Sequence, residues 1–164
     1  MAITSEATTV WRGDLKSGSG ELNLDSSGAA RFDVNWRARS EGSAGVTTPE
    51  ELLGAAHSSC FAMAFSNILS GFGTPPQSIQ VTAAVTFDPA QGITGSHLLV
   101  NAAVPGLAGA GGHPDHDRGR TGVVRMLFWA RPPSGQRFGV GRAPCSLIAS
   151  RMARLALRRS PDAS

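Results

Sequence analysis

Residues 48–70 read TPEELLGAAHSSCFAMAFSNILS, and the fold turns on this stretch. Thr48 is a candidate N-cap, Pro49 occupies the first turn, where its missing N–H costs nothing, and Glu50 and Glu51 lie at the positive end of the helix dipole. The pattern predicts a helix running to Leu69 or Ser70, stopped by Gly71-Phe72-Gly73-Thr74-Pro75-Pro76. Its apolar residues, Leu52, Leu53, Ala56, Cys60, Phe61, Met63, Ala64, Phe65, Ile68 and Leu69, go nearly all the way round. Such a helix is expected inside a core or at a subunit interface. Gly54, His57, Ser58, Ser59, Ser66 and Asn67 interrupt it, so it is not expected to provide the ~20 mostly apolar residues of a membrane span.

Strand-like runs flank the helix. Before it, TTVWR, Gly20 to Leu24 and Arg31 to Arg37 are separated by SGSG and DSSG, the grammar of a three-stranded meander. In RFDVNWRAR, Phe32, Val34, Trp36 and Ala38 alternate with Asp33, Asn35 and Arg37, which predicts a half-buried strand with Arg39 at its end. After the helix, Ser78 to Asp88 and Ser96 to Val104 read as a hairpin of two longer strands turning around Pro89 to Gly95. The expected class is α+β.

Beyond Pro105 this grammar fails, apart from an apolar island at Val123 to Ala130 and a basic helical pattern at 145–159. Residues 1–106 hold five cations and nine acids, a net of −4, whereas 107–164 hold ten arginines, no lysine and three aspartates, a net of +7. The pI of 9.6 therefore belongs to the tail. A basic segment raises the question of nucleic acid or an anionic surface, but Phe128, Trp129 and Phe138 offer few stacking platforms.

At 164 residues and 17.0 kDa the chain suits one domain. Charged residues are sparse at 16%, while glycine and proline together reach 30 residues, which marks a loop-rich globular protein. Two cysteines are too few for a disulfide framework, and MAITSEATTVWRGD has neither the basic start nor the apolar run of a signal peptide. A reducing, cytoplasmic setting is expected.

Cys60 needs an explanation. By base rate a cysteine in an apolar helix is an inert small hydrophobe, and reactivity requires a nearby cation that favours the thiolate. Arg39 is a candidate cation, and Glu50 a candidate to grip its guanidinium. Two other chemistries use the same residues. His57 and Cys60, with His113, His116 and Cys145, offer donors for a tetrahedral metal; a Cys60–His57 hydrolase would lack an orienting acid and an oxyanion hole.

The segments WRGDLKSGSGELNL, RARSEG, TPEELLGAAHSSCFAMAFS, PQSIQVTAAVTFD and VNAAVPGL together resemble the osmotically inducible protein C and organic hydroperoxide resistance (OsmC/Ohr) family, over about residues 8–107. His57, three residues before the cysteine, is similar to the OsmC branch, since the Ohr branch usually carries an aromatic there. The resemblance implies antiparallel sheets around a long buried central helix in an intertwined homodimer. It implies a peroxidase that reduces organic, lipid-type hydroperoxides, with Cys60 as nucleophile, Arg39 stabilising the thiolate and Glu50 orienting Arg39. Arg37 is a rival for Arg39 in RARSEG. Phe61, Met63, Phe65 and Phe72 are expected either at an apolar substrate pocket or in plain core. No metal, flavin or haem is implied, and the reductant would be a dithiol such as a lipoylated protein. Ten residues of unbroken helix put about 15 Å between Glu50 and Cys60, which points to Arg39 and Glu50 of one copy facing Cys60 of the other.

The family's second cysteine, in a Cys-Pro-Val-Ser turn before a closing strand, has no counterpart here. Cys145, in Ala-Pro-Cys-Ser-Leu, is the only candidate resolving cysteine. The expected organisation is a core portion at 1–107 and an atypical, poorly ordered region at 108–164. The abrupt loss of pattern fits a shifted reading frame of a GC-rich gene: resequencing should show a one- or two-base slip near codon 107, and an intact frame would dismiss the idea.

Overall fold

The structure is a computed structural model that describes residues 1–42, 44–105 and, by backbone and strand pairing, 121–130. The chain divides into two compact units, Met1–Leu52 and Leu53–Ser164.

In the first unit, β1 (Thr8–Arg12), β2 (Ser19–Asn23) and β3 (Arg31–Asn35) form an antiparallel sheet in the order β1-β2-β3, the expected meander. The β1–β2 turn is organised by Asp14, whose carboxylate accepts from the amides of Lys16 at 2.8 Å and Ser17 at 3.0 Å and from the Ser17 hydroxyl. These bonds hold the Asp14 carboxyl below its ordinary pKa, the Ser17 hydroxyl contributing most. A Cβ on Gly18 would lie 2.3 Å from the Asp14 carbonyl oxygen and 2.5 Å from that of Arg12, so only glycine fits where the hairpin closes.

β3 is shorter than its alternation predicts. Asn35 turns the chain into α1 (Trp36–Glu41): its side-chain oxygen accepts from the Ala38 amide at 2.7 Å, and Gly42 ends the helix at φ 77°. Arg39 therefore sits in the last turn of a short helix and not at a strand end. An N-cap bond satisfies an otherwise orphaned helical N–H, and here that local bond overrides period-2 patterning.

The helix α2 (Pro49–Gly71) begins in the first unit and runs without a break into the second. Thr48 caps it, its Oγ1 accepting from the Glu51 amide at 3.1 Å. At the other end the Thr74 amide donates to the Leu69 carbonyl and the Gly73 amide to that of Ser70, with Gly73 at φ 75°, the Schellman stop that glycine permits.

In the second unit, β4 (Ser78–Asp88), β5 (Gly92–Pro105) and β6 (Thr121–Ala130) form an antiparallel sheet in the order β4-β5-β6. The β4–β5 turn is tighter than expected: Asp88 accepts from the Ala90 and Gln91 amides, and Gly92 at φ 81° opens β5. β6 contains the island Val123 to Ala130 and pairs along β5 from Pro105↔Thr121 to Ser96↔Ala130. Poor order was expected here; a run rich in branched and aromatic residues instead completes a backbone ladder.

Phe61, Phe65 and Leu69 of α2 pack on Leu98, Val100, Ala102 and Val104 of β5, flanked by Ile79, Val81 and Ala83 of β4. Gly54 lets α2 approach β4 closely, since a Cβ there would sit 3.2 Å from the Ala83 carbonyl oxygen. Burial follows one stripe only. The opposite row of α2, Leu53, Ala56, Cys60, Met63, Asn67 and Ser70, is exposed, so the helix is not covered all round within the chain. By length and composition α2 is also apolar enough to cross a membrane, with 23 residues that include an 18-residue stretch of mean hydropathy 1.3, which the polar interruptions did not predict. Its buried stripe is committed to the β-sheet.

Candidate active site

A partly buried ion pair lies in the first unit. Glu50, in the first turn of α2, is 7% exposed, and a carboxylate is tolerated there because it faces the positive end of the helix dipole and a cation. Its Oε1 accepts from Arg39 Nε at 3.0 Å and from Nη2 at 2.8 Å. The guanidinium thus grips a single oxygen through two N–H groups, which fixes its plane. Arg37, the rival in RARSEG, pairs with Glu41 at 3.2 Å one turn along α1, where both side chains are mostly exposed. The structure therefore brings Arg39 and Glu50 together and turns Arg37 elsewhere.

Cys60 lies in the second unit. It is a free, exposed cysteine midway along α2. One turn before it, His57 is half-buried, and its Nδ1 lies 2.8 Å from Ser96 Oγ on β5. Burial pushes the imidazole below its ordinary pKa, which favours the neutral ring. Nothing in the sequence singled out Ser96; it lies 39 residues from its partner, and only the α2–β5 packing joins them.

The four apolar residues named for the pocket separate. Phe61 and Phe65 are each 1% exposed and pack in the core, their rings tilted at 33° with centroids 5.8 Å apart. Met63 is 67% and Phe72 46% exposed. Met63 also lines an open groove of about 630 Å³ with Ser66, Asn67, Ser70, Gln77 and Ile79. Among the described residues no group of three or more His, Cys, Asp or Glu side chains could hold a metal ion. His113, His116 and Cys145 lie outside the described residues.

Residues 41–110 match the profile of the OsmC-like protein family. The chain is 39% identical over 110 residues to the peroxiredoxin OsmC of Escherichia coli strain K12, a match that spans 65% of this chain and 76% of that protein. The peroxiredoxin OsmC of Shigella flexneri matches equally, at 39% over 110 residues and the same coverage. Among solved structures, an organic hydroperoxide resistance protein from Elizabethkingia anophelis is similar at 22% identity and a TM-score of 0.47, over 66% of this chain and 74% of that one. At 39% identity over 76% of a curated relative, and with residues 41–110 matched to the family profile, the chain belongs to the OsmC-like protein family.

Proposed function

We propose that this protein is a cytoplasmic, homodimeric thiol peroxidase that reduces organic, lipid-type hydroperoxides to alcohols through Cys60. The observation that carries the reading is an exposed thiol on α2, inside the segment matched to the OsmC-like family. Relatives named peroxiredoxin support the chemistry. A thiolate attacks the distal peroxide oxygen and becomes a sulfenic acid. Arg39 stabilises the thiolate and polarises the peroxide, while Glu50 holds the guanidinium in place. Met63 and Phe72 contribute apolar contact to the substrate, with Phe61 and Phe65 supporting α2 from the core.

The second copy belongs to the same proposal. The exposed row Leu53, Ala56, Cys60, Met63, Asn67 and Ser70 advances in alternating steps of three and four residues, the spacing of a helix–helix seam. An α2–α2 contact would cover it. Because α2 is unbroken from Glu50 to Cys60, about 15 Å of helix lies between them, and Arg39 and Glu50 serve the thiol of the partner copy. Cys145, outside the described residues, is the candidate resolving thiol, and a dithiol, such as a lipoylated protein, is the reductant.

The test is intact-mass spectrometry of the reduced protein after an equimolar pulse of cumene hydroperoxide, with peptide mapping and Cys60→Ser as the control. One oxygen added at Cys60, or a Cys60–Cys145 disulfide, is expected, and Cys60→Ser should show neither. An unmodified Cys60 in the native chain would end the peroxidase reading.

A further inference from the structure

The rows of the second sheet that face α2 are Ile79, Val81, Ala83 and Val85 on β4 and Ser96, Leu98, Val100, Ala102 and Val104 on β5. Ser96 is the polar member, and His57 reaches it across the packing at 2.8 Å. In the tautomer whose Nδ1–H donates to Ser96, Nε2 carries the lone pair left for other chemistry, and among the described residues it has no hydrogen-bond partner. Cys60 follows three residues later, a spacing that puts Cβ atoms about 5–6 Å apart on one helix flank. Helical side chains lean toward the N-terminus, so the Cys60 thiol leans toward the turn that carries His57.

Few other groups here can handle a proton. From Leu52 to Gly71, α2 has no charged residue, and neither do the facing rows of β4 and β5. Asp88 is bound to the amides of the β4–β5 turn, and His97 alternates to the face of β5 away from Leu98. His57, kept neutral by burial, has a ring lone pair that can take a proton, and the same burial favours giving it up again.

We propose that His57 is the proton relay of Cys60, oriented by Ser96 and carrying the thiol proton to the departing alkoxide. The inference rests on the peroxidase reading above. Nε2 takes the proton from Cys60 Sγ, leaving thiolate and imidazolium. The sulfur attacks the distal oxygen of the hydroperoxide; the S–O bond forms, the O–O bond breaks, and sulfur loses two electrons as the peroxide gains them. The alkoxide leaves and takes the proton from Nε2. The products are a sulfenic acid, an alcohol and the neutral imidazole at which the cycle began, with no proton gained or lost. A cation elsewhere stabilises the thiolate but cannot supply this proton, which separates the role of His57 from that of Arg39.

The leaving group tests the assignment. An alkoxide needs a proton, whereas the carboxylate released from a peracid and the iodide released from iodoacetamide do not. Single-turnover rates of the reduced full-length protein should be measured with cumene hydroperoxide, peracetic acid and iodoacetamide. His57→Gln should react about 100-fold more slowly with cumene hydroperoxide, the low end of general acid–base effects, and lose about tenfold less with the other two, which need the thiolate but not the returned proton. Ser96→Ala, which keeps the imidazole but releases its anchor, should show a smaller loss, again largest with the alkyl hydroperoxide. If His57→Gln does not fold, Ser96→Ala decides the matter alone. Equal slowing with all three reagents would overturn the relay and reduce His57 to packing or thiolate stabilisation, and no slowing at all would overturn it too. Failure of the peroxidase reading looks different, because the native protein would then be alkylated by iodoacetamide but react with neither peroxide.

Discussion

Arg39→Met protein should consume organic hydroperoxide about 100-fold more slowly than native and be less stable by about 2–3 kcal/mol. Both effects come from the same contact. Glu50 is 7% exposed and receives two N–H bonds from Arg39, so the methionine side chain leaves a desolvated carboxylate without its cation. Losing one partner of a fully buried pair costs about 3–5 kcal/mol; the Arg39 side chain is 30% exposed, so water reduces that penalty. The rate falls because a preorganised cation beside a thiolate and a polarised peroxide acts mainly in the transition state. Glu50→Gln separates the two effects, since it keeps an oxygen acceptor for the guanidinium and removes only the charge. Its stability loss should be smaller, while its rate should still fall because Arg39 is held less firmly. Urea unfolding and single-turnover rates on the two variants and their double mutant measure the coupling. A fully stable, fully active Arg39→Met would remove both roles from the pair.

Met63→Asp should convert the protein from a species of about twice 17.0 kDa to one of 17.0 kDa in sedimentation equilibrium, and abolish peroxide turnover with it. Met63 is 67% exposed in the chain and central to the three-four row on α2, so an aspartate there costs the isolated chain little. In a seam between two α2 helices the same carboxylate would be desolvated opposite its own copy, and like charges across a contact are strongly disfavoured. Turnover should vanish because Cys60 would lose the Arg39 and Glu50 of the partner copy, while iodoacetamide still reaches the thiol. A dimeric Met63→Asp would place the contact on another surface; a monomeric variant with native turnover would mean that one copy completes the site.

The start and stop of α2 were legible because each is written in a few adjacent residues: Thr48-Pro49-Glu50-Glu51 at one end and Gly73 at the other. The meander was legible for the same reason. The end of β3 was not, because Phe32, Val34, Trp36 and Ala38 continue the strand period into a segment that Asn35 has already capped as helix. Ala38 is nonetheless buried, at 2%, so its apolar character was read correctly and its backbone wrongly. β6 was hidden by its surroundings, since a ten-residue strand flanked by glycine, proline and arginine makes no local case for its partner. Arg39 and Glu50 came together through family resemblance more than through spacing, which left Arg37 open. The His57–Ser96 bond had no local signal, because it depends on which rung of β5 meets which turn of α2.

The position of β5 sets a limit on how this protein can be shortened. Ten rungs, from Pro105↔Thr121 to Ser96↔Ala130, close the side of β5 not already taken by β4. A chain ending near residue 107 would keep Arg39, Glu50, His57 and Cys60, yet it would bare that whole row of N–H and C=O groups along the strand that carries Ser96. An open edge of this length is a template for adding strands from other molecules. Residues 121–130 thus act as a seal as well as a strand, and solubility, before activity, is the property that truncation would spend.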